Sequence, residues 1–144
     1  MKLARAFCYR CHKARTTCIC DSLRRVDNRT KVWLIQHPRE RFHPIGTARI
    51  AKLGLTRVAV TVMHAGTPPP RLPPNSLLLH PEGEILDPAK LPAAPGALVV
   101  IDGTWAHARK LYRQHRWLRA LPRYRLASGR ESRYRLRREP APSF

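Results

Sequence analysis

Two groups of residues in this sequence have the types and spacing to do chemistry. The first is Cys8-x2-Cys11-x6-Cys18-x-Cys20, four thiols within thirteen residues. Tetrahedral zinc takes four closely clustered soft ligands, and thiolates supply them at about 2.3 Å. Two disulfides are the other use for four cysteines, but they do not persist in a reducing cytosol, and nothing marks the chain as secreted. Arg10, Lys13 and Arg15 lie among the thiols, and neighbouring cations favour thiolate. His12 is a spare ligand, yet four cysteines already close the coordination shell. The expectation is therefore a structural zinc with no open position for catalysis.

The second group is Val99-Val-Ile-Asp-Gly-Thr-Trp-Ala-His-Ala-Arg-Lys110, where an apolar run meets an acid, a glycine and a threonine. Ligands of open α/β sheets bind at the carboxyl ends of the strands, and Asp102 stands at such an end. Gly103 allows a tight turn or a close backbone approach, and Thr104 is placed to cap the following helix. On spacing alone, Asp102 reads equally well as a helix N-terminal partner, with Trp105 as a core anchor.

The elements that must position these residues alternate. Lys31–Gln36 reads as a buried strand ended by His37-Pro38, and Gly46–Gly54 as a short helix with Ile50 and Leu53 inward. Arg57–Val62 is a β-branched strand, Thr67–Pro74 a proline-rich connector, and Ser76–His80 a third strand. Pro88–Pro95 is a breaker-rich loop. Ala97–Ile101 is apolar on both faces and is expected to be a central, parallel strand. A helix from Thr104 to about Leu121, stopped by Pro122, carries Trp105, Ala108, Leu111 or Tyr112, His115 and Leu118 inward. The alternation indicates an α/β domain with a mostly parallel sheet and helices on both faces. Residues 1–30 form the zinc-binding segment and 31–144 the α/β domain, one compact unit.

The charge is one-sided. The 144 residues hold 28 Lys and Arg, 22 of them Arg, against 9 acids, for a formal charge of +19. From Arg109 to Arg138 there are 12 cations and one acid, Glu131. Arg109, Arg113 and Arg116 line one helix face with Lys110 beside them, and Arg133 and Arg135 follow. Tyr112, Trp117, Tyr124 and Tyr134 are interleaved and positioned by sequence to stack on bases. Such a surface points to RNA or another phosphate polymer, with no DNA expected. No stretch approaches the roughly 20 apolar residues of a membrane span, and the N-terminus lacks the apolar core of a secretory signal. No membrane contact is expected, and the cytoplasm is the expected compartment.

Four blocks in order resemble one family: the four-cysteine block; His37-Pro38-x-Glu40 with Gly46-Thr47-Ala48; Asp102-Gly103-Thr104-Trp105 with Ala108-Arg109-Lys110; and Ser132-Arg-Tyr-Arg-Leu-Arg137. Together they resemble the DTW-domain proteins, the tRNA-uridine aminocarboxypropyltransferases, over nearly the whole chain. The resemblance implies a SPOUT-like fold with a C-terminal trefoil knot. It also implies tRNA as partner and S-adenosylmethionine as donor of a 3-amino-3-carboxypropyl group to N3 of a uridine. Family members continue past the Ser132–Arg137 block with a further helical segment, whereas this chain ends at Phe144, so an incomplete knot is expected.

In that reading Asp102 is the general base for N3–H or the group that holds the donor's α-ammonium. Thr104 and Ser132 bond the donor's amino acid end, Trp105 walls the pocket, and Arg137 pairs with the donor carboxylate or an RNA phosphate. His37, Gly46, Thr47 and Gly103 complete the donor site, and Glu40 lines the pocket. The competing readings are a non-catalytic zinc-containing RNA-binding module and a SPOUT-type RNA methyltransferase.

Overall fold

The computed structural model describes residues 6–43, 46–91 and 93–127. Ser132, Arg133, Arg135 and Arg137 lie outside the described residues, as do Glu131 and Tyr134. A hairpin comes first among the described residues: β1 (Phe7–Cys8) pairs antiparallel with β2 (Lys13–Ala14). The main sheet contains β3 (Lys31–Gln36), β4 (Val58–Val62), β5 (Leu77–Ile85), β6 (Ala97–Asp102) and β7 (Arg123–Arg125). Its order is β4-β3-β6-β5-β7, and every neighbouring pair is parallel. β6 is thus the central strand expected from its two apolar faces.

Alternate residues of one strand point to opposite faces, and the packing follows this rule. Ile35 and Val99 join Leu78 and Met63 in a fully buried cluster. Leu111 of α2 (Trp105–Gln114) and Leu118 of α3 (Arg116–Ala120) close it. Their neighbours Leu34 and Val100 line a cavity with Ala48 and Ala51 of α1 (Thr47–Gly54). Within α1 the buried residue is Ala48, and Ile50 is exposed at 37%. The expected inward Ile50 is corrected: a helix seated this close over the sheet turns its small residues inward.

Three further expectations are corrected. The single helix from Thr104 to Leu121 breaks at His115, whose φ of −106° and ψ of 95° are extended. No Gly or Pro marks the break. The Arg119 guanidinium donates to the freed carbonyls of Tyr112 and Arg113, as cations do at helix C-termini. Tyr112 and Trp117 pack against the core cluster rather than standing free to stack. Third, β5 runs past His80 to Ile85, because β7 pairs with both Leu78–Leu79 and Glu84–Ile85 around an irregular stretch. Gly83 permits this: a Cβ there would lie 2.5 Å from the Tyr124 nitrogen.

The cysteine hairpin is docked on α1. Arg49 donates through Nε and Nη2 to the Arg10 carbonyl, at 2.9 and 2.7 Å, and through Nη2 to His12 Nε2 at 3.0 Å. The Val26 N–H bonds the Gly54 carbonyl at 2.7 Å. No helix among the described residues is long and apolar enough to cross a membrane.

Two substitutions test this packing. Leu118→Ala should cost about 2–5 kcal/mol, the range for emptying a filled core site. Ile50→Ala should stay within about 0.5 kcal/mol, as exposed positions do. Denaturant melts of both proteins read the difference, and equal costs would contradict the orientation of α1.

Candidate functional site

Two six-residue strands end together at this site. In the β3–β6 register Gln36 lies opposite Asp102. Gln36 Nε2 donates to Asp102 Oδ2 at 2.9 Å, which fixes the carboxylate's orientation. The chain then folds over this edge: the His37 N–H bonds the Asp102 carbonyl at 2.9 Å, and the Met63 N–H bonds the Gln36 carbonyl at 3.0 Å. Gly103 is needed at the turn, since a Cβ there would meet His107 Cβ at 3.0 Å and the Ala108 nitrogen at 3.3 Å.

Thr104 caps α2, its Oγ1 accepting the His107 N–H at 3.2 Å. In a capping box the third helical residue carries a carboxylate or amide that reaches back to the cap's own N–H. Here that residue is His107, a donor, and the carboxylate comes from another loop. Glu40 Oε1 accepts the Thr104 N–H at 3.3 Å and the His107 Nδ1–H at 3.3 Å. Glu40 is 6% exposed and closes the short 3-10 turn Pro38–Glu40. Its negative charge also sits where a helix N-terminus is positive. His37 and His107 stack face to face, 3.9 Å between centroids and 2° from parallel. Burial, then the neighbouring His107, pushes the His37 imidazole below its ordinary pKa, which favours the neutral ring. Its Nδ1 accepts the Arg39 N–H at 3.3 Å.

Two cavities open beside the Gln36–Asp102 pair, and Ala48 lines both. One, about 300 Å³, has walls from Leu34, Ala51 and Val100, with Asp102, Thr47 and Trp105 at its polar side. The other, about 390 Å³, is lined by Gln36, Glu40, Gly46 and several cations. Trp105, expected either as a core anchor or as a pocket wall, is 42% exposed and lines the smaller cavity. The structure thus brings together Asp102, Gly103, Thr104, Trp105, His37 and Thr47, with Gly46 on the second cavity. Arg109, Lys110, Arg113 and Arg116 are all exposed on α2 and α3. Sequence reading missed Gln36. Its signal was two runs of equal length, Lys31–Gln36 and Ala97–Asp102, each ending on a polar side chain.

The four cysteine sulfurs lie within 4.8 Å of one another. Cys8–Cys20 and Cys11–Cys18 are each 3.7 Å apart, too long for a disulfide and close to the roughly 3.8 Å edge of a tetrahedron with 2.3 Å arms. The donor set fits zinc, and Cys8, Cys11, Cys18 and Cys20 would hold it. Backbone N–H groups at Cys11 and Arg10 pull the Cys8 thiol down to about 6, while burial and the other thiols push Cys20 up to about 12. Cys18 is also raised, by its thiol neighbours and burial against the opposing Cys20 N–H.

Zinc should therefore bind one per chain and expel the protons of Cys18 and Cys20, so affinity should fall as pH is lowered from the alkaline range, and more steeply below about 6, where Cys8 also takes up a proton. Competition with a chromophoric chelator across pH measures both. Binding without pH dependence would contradict the thiolate assignment.

The chain is 28% identical over 147 residues to a Drosophila melanogaster protein named tRNA-uridine aminocarboxypropyltransferase 2, an alignment covering 92% of this chain and 59% of that one. It thus spans about three fifths of the length of the curated relative it matches. No solved structure matches it. A family model described as the DTW domain matches residues 5–144, taking in the cysteine hairpin, the sheet and the Asp102 turn. The chain belongs to the DTW domain family.

Proposed function

We propose that this protein transfers the 3-amino-3-carboxypropyl group of S-adenosylmethionine to N3 of a uridine in tRNA. The observation that carries the reading is the Asp102 carboxylate, held by Gln36 at a strand end and facing a cavity with Trp105. The family membership and the relative's name support it. The parallel order β4-β3-β6-β5-β7 is compatible with a SPOUT-like fold; the expected C-terminal knot falls on residues outside the described ones.

The donor supplies an electrophilic carbon bonded to a sulfonium. The uridine N3–C bond forms as that C–S bond breaks, the N3 proton leaves, and the sulfur departs as a neutral thioether. The residues of the smaller cavity fit such a donor: Leu34, Ala51 and Val100 give apolar walls, and Asp102 gives one anion for a cationic group. Two roles are open to Asp102, taking the N3 proton or holding the donor's α-ammonium so that the propyl carbon is aligned. Thr104 and Trp105 border this position, and His37 supports it from the stacked pair. Ser132 and Arg137 are assigned to the donor's amino acid end by the family resemblance alone. Arg109, Lys110, Arg113 and Arg116, with Arg133 and Arg135, supply cations for the RNA backbone. The cysteine cluster, with zinc, is structural, since its four thiols leave no open position.

Nucleoside mass spectrometry of tRNA incubated with protein and donor should show the aminocarboxypropyl-uridine mass, carrying label from the donor's carboxypropyl carbons. Asp102→Ala should lower the rate by at least about a hundredfold. In Asp102→Asn, a raised donor KM with an unchanged pH profile marks the orienting role, and a lost acidic limb in kcat marks the base. Label arriving only from the methyl group would make the protein a methyltransferase, and an unmodified uridine pool would leave it a binding module.

A further inference from the structure

The basic stripe on α2 is one electropositive surface; the structure contains a second on the other side of the site. The 390 Å³ cavity is lined by Arg49 and Lys52 of α1, His12 of the cysteine hairpin, Arg41 and Phe42 of the loop after β3, and Gln36 at the β3 end. Glu40 is the one carboxylate among its described lining residues, and it is already paired with His107. Arg49 donates to the carbonyls of Tyr9 and Arg10 and to the His12 ring. None of these is an anion, so they orient the guanidinium without neutralising it. Arg41 and Lys52 are exposed.

Phe42 lines this cavity, and two more aromatic rings stand on the adjoining cysteine hairpin. Phe42 is 72% exposed, with the Arg41 guanidinium over its face at 5.0 Å. On the hairpin Tyr9, whose carbonyl accepts from Arg49, is 85% exposed, Phe7 meets it edge-on at 5.7 Å, and Phe7 lies 6.0 Å from the ring of His12, which lines the cavity. Single exposed apolar side chains are ordinary, whereas a cluster such as Phe7 with Tyr9 beside cations marks an interaction surface. Rings beside unneutralised cations suit unpaired nucleotides, which offer a flat apolar base and an anionic phosphate per residue. Duplex RNA hides its base faces, and an acidic peptide has no flat faces to offer. Gln36 lines this cavity and bonds Asp102, so a base lodged there is one side chain from the carboxylate.

We propose that unpaired nucleotides of the substrate RNA enter through this cavity. Arg41, Arg49 and Lys52 hold phosphates, and Phe42 and Tyr9 stack on the bases flanking the one presented to Asp102. The proposal rests on the reading of the chain as a tRNA-uridine transferase. It adds the route and the single-stranded state of the substrate at the site.

The test measures binding of the full chain, with zinc supplied, to an unmodified tRNA transcript, a short oligouridylate and a duplex RNA across salt concentrations. The oligouridylate should bind more tightly than the duplex. Phe42→Ala and Tyr9→Ala should each weaken oligouridylate binding roughly five- to a hundredfold, the effect of removing one stacked base. Arg41→Gln with Lys52→Gln should reduce the salt slope by about 0.7 for each phosphate no longer neutralised, and Arg41→Lys should retain it. A 4-thiouridine probe should crosslink to the Phe42 or Tyr9 segment.

Unchanged affinity and slope in these variants would overturn the proposal, as would crosslinks confined to α2, equal duplex binding, or full competition by polyglutamate. Transfer is assayed separately. If binding depends on these residues while no modified uridine forms, the transferase reading fails and the surface stands. If modification proceeds with unaltered KM in the variants, the surface fails and the transferase stands.

Discussion

The site depends on the register in which β3 and β6 run side by side. Because Gln36 and Asp102 are paired positions of parallel neighbours, an amide and a carboxylate emerge at the same level of the same sheet edge. A one-residue slip would send one of them to the opposite face. The buried partners of that register, Ile35 and Val99 on one side with Leu34 and Val100 on the other, therefore do more than fill space. They set where a single negative charge stands in a chain of formal charge +19.

Around that edge the chain places its few acids carefully. Glu40 is buried, yet its carboxylate satisfies a backbone N–H and a histidine ring at once, which is how a buried charge becomes tolerable. The result ties the loop after β3 to the first turn of α2, and the stacked His37–His107 rings reinforce the join. On the other flank Arg49 joins the cysteine hairpin to α1 through carbonyl oxygens. The hairpin is thus bound to the sheet domain by hydrogen bonds as well as by chain connection.

Much of this was legible in the sequence. Lys31–Gln36 and the central strand ending at Asp102 follow from apolar runs with clear stops, and the cysteine spacing pointed to the cluster. Thr104 as a cap followed from residue type. The rest depended on contacts distant in sequence. Nothing near His115 announces a helix break, because its stabilising donor, Arg119, acts on the carbonyls of Tyr112 and Arg113, seven and six residues back. Trp105 carries the same apolar label as Leu111, yet only Leu111 meets the core. The strand pairing beyond His80 was hidden by Pro81 and Gly83, which locally signal a turn and become a bulge only when β7 lies alongside.

The Glu40 arrangement has a consequence for how such a chain can drift. In an ordinary capping box both partners lie within four residues and change together in a single short segment. Here the reciprocal contact is divided between position 40 and positions 104 and 107, more than sixty residues on. Replacing Glu40 leaves the Thr104 N–H and the His107 ring without their shared acceptor, and replacing His107 leaves a buried carboxylate with one donor fewer, so a change at position 40 or 107 is felt at the other. The loop and the helix start are thereby coupled as one physical unit, even though the chain writes them far apart.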